Sequence, residues 1–480
     1  MARMNQRDQA HAYRFLARRL SSALVRDDPD GPDAPMRRLA IASFGSIMVA
    51  ALVVAGVGVL GVVRPGGATA WKKAHAVILE KETGTRYLYT QGQLHPLLNY
   101  ASARLVLGQQ AYSLVTVSQA SLRGVPRGLP IGIPGAPDEL PTTAGLVTGP
   151  WSVCSLPARD EAGSPSAFVR LSAGGGLTGT ALGSNRAVLV TSLDNTLYLV
   201  WNSSRMRIPG GQAALEALGY ASTQPLAVGD AWLTVLPQGP DLAPPQLPGL
   251  GGKGPPVAGR ATRVGQVLIA AGSGQAGGTP QYYLVEHGGL APLSVTEADL
   301  ELADPQARSL YPPGRPTAIS VPAASIAAAP AFPSASPSAL PSRPPQLISL
   351  PAGQGAVCGV YQAADNSVPQ VRTYPVDAGS IPTVTKPAPV GVLGIPLADQ
   401  VRIPAGDGAV VQAVPAPGAG GGTMYLITSS GVKYPVPTTD VLASLGLSGV
   451  RPTLVPEILL DLLNTGPTLD PHAAARTSAP

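Results

Sequence analysis

The sequence predicts an α+β, mainly β protein: an N-terminal amphipathic helix and a single transmembrane helix, then a series of four hairpin-plus-helix repeats. Three observations carry this. Leu39 to Val63 is a run of 25 residues without a formal charge. Gly (56) and Pro (52) exceed a fifth of the 480 residues, with charged residues at 13% and aromatics at 5%, which favours short strands and turns over long helices. A Tyr-Leu-led hairpin pattern recurs four times after the apolar run.

In the tail, residues 1–38, Tyr13, Leu16, Leu20 and Leu24 recur at helical spacing, with Arg14, Phe15, Arg18 and Arg19 beside them. Such a helix either lies on a membrane surface, held by anionic headgroups, or docks a cytosolic partner. Asp27-Asp28-Pro29-Asp30-Gly31-Pro32 stops it. Residues 39–63 follow as one membrane span, since at about 1.5 Å per residue they reach roughly 37 Å against a ~30 Å hydrocarbon core. The 417 residues after it then lie on one face of the membrane. Eight Arg in residues 1–38 against five Arg or Lys in 64–101 favour a cytoplasmic N-terminus. Ala68-Thr69-Ala70 resembles a signal cleavage site, but a signal's apolar region is usually about 7 to 15 residues, which favours an uncleaved anchor.

The repeats begin at Tyr87-Leu88-Tyr89, Tyr198-Leu199-Val200, Tyr283-Leu284-Val285 and Tyr425-Leu426-Ile427. Each copy passes through a polar or Gly-bearing turn into a second strand ending at Pro96, Pro209, Pro292 or Pro435. A short helix follows each: Asn99 caps the first, Ser294 and Glu297 form a capping box for the third, and Thr438 or Thr439 caps the fourth. Gly108, Gly219 and Gly446 stand where the first, second and fourth should end. Spacings of 111, 85 and 142 residues between the leading tyrosines exclude a regular solenoid. Three insertions, Pro237–Pro256, Pro312–Pro345 and Ala416–Gly422, are expected to be flexible loops. Leu454–Leu463 reads as a helix stopped by Gly466-Pro467, and the tail from His472 is expected to be disordered.

The net charge of +5 leaves no strongly basic face for nucleic acid, because the N-terminal tail supplies three of those units. Cys154 and Cys358 both follow the span, so they either form one disulfide in an oxidising compartment or remain two buried thiols. Catalytic motifs fail on context. Gly56, Gly58 and Gly61 lie inside the span; Gly272, Gly274 and Gly277 lead into a strand rather than the helix a dinucleotide site needs. After Gly252-Lys253, Gly254 stands where a P-loop needs Ser or Thr, and Leu247 replaces its first glycine. His11, His75, His95, His287 and His472 are scattered, and Asp138-Glu139 and Asp160-Glu161 read as solvated loop pairs. No catalytic, cofactor or metal site is predicted.

Ala12-Tyr13-Arg14-Phe15-Leu16-Ala17-Arg18-Arg19-Leu20, continuing through Ala23-Leu24-Val25-Arg26-Asp27, resembles the N-terminal signature of the EccB family of type VII (ESX) secretion systems. The resemblance extends through Gly92-Gln93-Leu94-His95-Pro96, Ser102-Ala103-Arg104-Leu105, Ile133-Pro134-Gly135-Ala136-Pro137, Trp151-Ser152-Val153-Cys154, Gly355-Ala356-Val357-Cys358 and Gly466-Pro467-Thr468-Leu469-Asp470. It implies a Cys154–Cys358 disulfide and a discontinuous central β-rich domain with the four repeats around it. The implied layout is a cytosolic tail 1–38, span 39–63, stem and repeat 64–108, central segment 109–185, repeat 186–236, flexible linker 237–261 and repeat 262–310. A central segment 311–415 containing the loop 312–345, repeat 416–449, central segment 450–471 and disordered tail 472–480 complete it.

The resemblance also implies a plasma-membrane protein with its bulk outside the cytoplasm. Its implied partners are an EccC-type FtsK-like ATPase, EccD and EccE, with a mycosin protease and the cell wall as further contacts, in an oligomeric complex that exports small helical WxG-type proteins. Tyr13, Arg14, Phe15, Leu16, Arg18, Arg19 and Leu20 are the expected docking or membrane-surface residues. The competing readings are a tethered peptidoglycan-binding protein acting without a secretion machine and an ATPase, a label some family members carry but no phosphate-binding motif here supports.

Overall fold

The computed structural model describes residues 6–26, 37–63, 69–73, 76–109, 112–175, 179–272, 280–332, 339–351, 353–362, 370–375, 383, 390–391, 394–415 and 421–477. The chain forms two compact units: residues 1–96 with 112–128, and 97–111 with 129–480. The stop signal at 27–32, His75 and residues 416–420 of the Gly-rich insertion lie outside the described residues.

The first unit holds α1 (Gln6–Arg26), α2 (Arg37–Val63) and a sheet of β1 (Ala76–Glu80), β2 (Arg86–Thr90), β3 (Gln93–Pro96) and β4 (Ser113–Val117). The strand order is β3-β2-β1-β4, with β4 parallel to β1 and the other pairs antiparallel. Ile78, Tyr87, Leu94 and Val117 pack with Trp71 and Leu122 as its core. Trp71 meets the Tyr89 ring edge-on at 5.2 Å.

Three sheets of the second unit share that order. β8 (Arg186–Thr191), β9 (Leu197–Trp201), β10 (Ser204–Arg207) and β11 (Leu226–Ala227) form the first, extended by β16 (Gln346–Leu347). The next contains β12 (Val267–Ala270), β13 (Tyr282–Val285), β14 (Leu290–Leu293) and β15 (Ile319–Val321). The last contains β20 (Gly408–Val414), β21 (Met424–Thr428), β22 (Val432–Val436), β23 (Thr453–Pro456) and β24 (Asn464–Thr465). Between hairpin and closing parallel strand comes a helix: α4 (Gly211–Ala217), α6 (Val295–Ala303) or α8 (Thr439–Ser444). α3 (Tyr100–Leu107), which follows β3 in the chain, belongs to the second unit, where its Ala101 and Leu105 pack with Val441, Leu442 and Leu445 of the α8 region.

The helix signals act as read. Asn99 accepts from the Ser102 N–H, Ser294 and Glu297 form a capping box, and Thr438 accepts from the Val441 N–H. Gly108, Gly219 and Gly446 follow their helices with positive φ, which an L side chain adopts only with strain.

The remaining sheet has six strands in the order β19-β6-β5-β17-β18-β7. They are β5 (Trp151–Arg159), β6 (Pro165–Ala173), β7 (Thr180–Ala181), β17 (Gly355–Tyr361), β18 (Gln370–Pro375) and β19 (Gln400–Arg402). One face buries Trp151, Val153, Val169, Leu171 and Val357 against Trp232 of α5 (Asp230–Thr234).

Several expectations need correction. Each hairpin belongs to a larger sheet than a hairpin plus helix implies, because a strand precedes it and a parallel strand follows the helix. Thus β4, assigned to segment 109–185, pairs with β1; β15 and β20, in 311–415, and β23, in 450–471, likewise belong to hairpin-bearing sheets. α5, inside 186–236, packs instead against the six-stranded sheet.

The Pro/Gly stretch 237–261 is pinned rather than loose: the Gly239 N–H donates to the Arg205 carbonyl, the Leu242 N–H to that of Arg207, and Leu242 is buried. The stretch 312–345 contains β15 and α7 (Ala323–Ala327), whose Val321 and Ile326 are buried; its residues 333–338 lie outside the described set. Leu454–Leu463 is not one helix but β23, then α9 (Glu457–Leu460) and a turn, because the free edge of β20 recruits 453–456. Beyond His472 the chain is not structureless: α10 (Pro471–Ala474) is capped by Asp470 and buries Ala474.

Candidate membrane-anchoring and assembly surfaces

α2 is the candidate membrane span. Its stretch Leu39–Val59 is 21 residues long, apolar enough to cross a membrane, and 0% buried inside the protein. Phe44, Ile47, Met48, Leu52 and Val53 are exposed all round it, as a helix solvated by lipid requires.

All seven predicted tail residues lie on α1. Tyr13, Leu16 and Leu20 form one exposed stripe with Leu24, which is 84% exposed. Phe15 stands about 100° away from Leu16 around the helix and does not extend the stripe. It forms a second patch with Arg19, whose guanidinium carbon is 5.3 Å from the ring centroid. With Arg14 and Arg18 alongside, α1 offers apolar area flanked by cations.

In the six-stranded sheet, Cys154 of β5 and Cys358 of β17 stand directly opposite one another and are disulfide-bonded across a sequence separation of 204. The sheets containing β8 and β12 lie in the chain between the two cysteines. The bond therefore clasps two neighbouring strands whose connection contains two whole modules.

Other candidate residues have structural tasks. The Gly252 N–H donates to the Gly249 carbonyl and Lys253 bridges to Arg263, with β12 rather than a helix as the next element. Gly272 leads from β12 toward the antiparallel β13; Gly274 and Gly277 lie outside the described residues. Asp138 Oδ1 accepts from the Tyr100 N–H at 2.8 Å, at the start of α3, and Glu139 Oε2 from the Ser429 hydroxyl at 3.0 Å. Both carboxylates are exposed in a loop, as expected, and each also ties that loop to a neighbouring segment. Asp160 Oδ1 accepts from the Ser164 N–H at 2.7 Å in the β5–β6 turn. His95 is on β3, His287 in the β13–β14 turn, His11 on α1 and His472 on α10. Among the described residues no three His, Cys, Asp or Glu converge as a metal site.

Three buried charged groups carry no sequence signal. Glu80 is 1% exposed and accepts from the Tyr87 and Thr83 hydroxyls, each at 3.0 Å, with Arg127 at 3.9 Å. Lys433 Nζ donates to Asp461 Oδ1 at 3.2 Å. Glu301 on α6 is 1% exposed, neither of its oxygens has a hydrogen-bond partner among the described residues, and burial pushes its carboxyl up to about 8, aided by Asp304 and Glu286.

Residues 2–479 match the family described as "Type VII secretion system ESX-1, transport TM domain B". The chain belongs to the EccB family. Among similar proteins is the "ESX-1 secretion system ATPase EccB1" of Mycobacterium tuberculosis (strain ATCC 25618 / H37Rv). It is 31% identical over 483 residues, covering 98% of this EccB chain and 94% of the relative. The "ESX-3 secretion system ATPase EccB3" of the same strain is 27% identical over 490 residues, covering 96% and 88%. The fold resembles a chain of an intact ESX-5 inner membrane complex with a TM-score of 0.59 at 24% identity, covering 100% of this chain and 97% of the other. It also resembles the EccB3 dimer from the ESX-3 core complex, with a TM-score of 0.59 at 25% identity and coverage of 84% and 100%.

Proposed function

We propose that this EccB chain is a structural, non-enzymatic subunit of a type VII secretion complex in the plasma membrane, one that exports small helical WxG-type proteins. The observation that carries the reading is α2, one unburied apolar helix joined to a body of some 400 residues. Residues 1–38 lie in the cytoplasm, where Tyr13, Arg14, Phe15, Leu16, Arg18, Arg19 and Leu20 of α1 engage the complex or the anionic headgroups next to it. Outside, the hairpin-bearing sheets and the disulfide-bearing sheet organise the exported side.

The partners are an EccC-type FtsK-like ATPase, EccD and EccE, with further contacts to a mycosin protease and the cell wall, and the chain acts as an oligomer. The solved EccB3 dimer and the ESX-5 inner membrane complex support assembly of this kind, since both contain chains of this fold. The word ATPase in the relatives' names does not extend to the reading. The one Gly-Lys pair sits in a turn without the helix N-terminus that a phosphate cradle uses.

The test is removal of residues 1–38 from the chain in its native membrane. Co-purification of the membrane partners should be lost while the Cys154–Cys358 bond and the protease resistance of the body persist. Unchanged co-purification would refute the docking role.

A further inference from the structure

The six-stranded sheet has two unlike faces. Side chains alternate along a strand, so while Val153, Leu171 and Val357 enter the core, Ser152, Cys154, Arg170, Ser172 and Cys358 project from the opposite face. Register sets them in rows. Gln400, Arg170, Cys154 and Cys358 lie side by side across four strands, and Arg402, Ser172 and Ser152 form the next row. Cys154 and Cys358 are buried in a small cluster with Val360, against which Tyr374 packs, and Ser152 is buried beside them; together with Arg170, Ser172 and Arg402 they line a cleft of about 830 Å³, walled by residues 403–405 and Val147.

The cleft's charge is unbalanced. Among the described residues Arg170 and Arg402 line it with Asp407 as the single acidic residue. Arg170 Nε donates to Gln400 Oε1 at 2.8 Å, which fixes the guanidinium plane, and neither Nη group has a hydrogen bond or ion pair among the described residues. Arg402 is exposed, and its side chain has no polar partner among the described residues. Ser152, Ser172 and Tyr374 also line the cleft, and the Tyr374 Oη is 3.9 Å from Cys358 Sγ.

The exposed Arg402 guanidinium and the two Nη groups of Arg170, whose guanidinium carbon also lies 5.9 Å from the Phe168 ring centroid, match a carboxylate, which paired N–H donors can hold. Asp407 disfavours a dianion such as phosphate more than a single carboxylate. The volume suits several residues of peptide, as sites of roughly 300–1,000 Å³ hold ligands of that size.

We propose that this cleft binds a carboxylate-bearing peptide segment of a partner protein, clamped by Arg170 and Arg402. The site goes beyond the scaffold role and does not depend on it, because a purified chain can be assayed without the complex.

The test uses the full-length protein in detergent and fluorescence anisotropy of labelled peptides. Amidated hexaglutamate presents only side-chain carboxylates, and hexaglutamine with a free C-terminus presents only the terminal one; whichever binds identifies the source. Binding should weaken about tenfold or more in Arg402→Gln and in Arg170→Gln, the scale of a lost charge-assisted hydrogen bond. It should be unchanged in Arg372→Gln, which removes the same charge from the row beyond Cys358 and outside the cleft. Equal weakening in all three variants would mean diffuse attraction and overturn the proposal. So would no binding of either peptide, or displacement by inorganic phosphate at concentrations where acetate has no effect. Should Arg170→Gln fail to fold, Arg402→Gln tests the clamp by itself, since its exposed side chain supports nothing.

Discussion

Glu301→Gln should stabilise the module built on β12 to β15, and the gain should grow with pH. The carboxyl lies against Gly265, where an added Cβ would be 3.7 Å from Oε1. Neither oxygen has a hydrogen-bond partner among the described residues, and burial raises its pKa from 4.5 to about 8. Below pH 4.5 the group is protonated folded and unfolded and contributes no pH dependence. Between 4.5 and 8 the folded chain keeps a proton that the unfolded chain releases, so stability falls as pH rises, by roughly 1.4 kcal/mol per unit. Asp299, two residues earlier on α6, is also raised, to about 6, by burial. It confounds the lower part of that window but not pH 6.5 to 8, where Glu301 alone accounts for about 2 kcal/mol.

Because the chain has several cores, the suitable assay is hydrogen exchange of the β12 and β13 amides, corrected for intrinsic rates, rather than one global melt. Protection in the parent chain should decline between pH 6.5 and 8, while in Glu301→Gln, the neutral isostere, it should stay flat. Parallel pH profiles in the two proteins would show that the carboxylate is solvated or paired in solution, and the reasoning would fail.

Other perturbations follow the same logic. Glu80→Ala removes the acceptor shared by Tyr87 and Thr83, and should cost the first sheet about 2 kcal/mol, read by exchange at β1 and β2; Glu80→Gln should retain much of that. Gly408→Ala would place a Cβ 2.5 Å from the Ile427 carbonyl oxygen and 2.7 Å from Pro141 Cγ. The resulting strain of roughly 1–3 kcal/mol should appear as faster proteolysis of the β20–β21 sheet. Titration of the unfolded, unreduced chain should find no reactive thiol. Cys154→Ser with Cys358→Ser should lower resistance to unfolding by at most about 5 kcal/mol, the chain-entropy figure for a loop of 204 residues.

What the sequence made legible was local. A Tyr-Leu strand, a turn and a proline announce each hairpin within a dozen residues, and the Asn99, Ser294 and Thr438 caps bond only three residues ahead. The closing parallel strands gave no such mark. Ser113–Val117, Ile319–Val321 and Thr453–Pro456 share no motif, and each becomes a strand because the preceding strand of its own sheet leaves one edge open after the hairpin takes the other.

Contacts of longer range were hidden for the same reason. Asp138 acquires its role from Tyr100, and Glu301 its burial from Gly265; neither partner is near in sequence. The count of two cysteines limits the pairing to one choice, but not its place in register. That place follows from β5 pairing with β17 across two intervening sheets, a long-range contact with a large loop-closure entropy that no local signal announces. Cross-linking there ties together the two central-sheet strands that the chain's local order does least to hold.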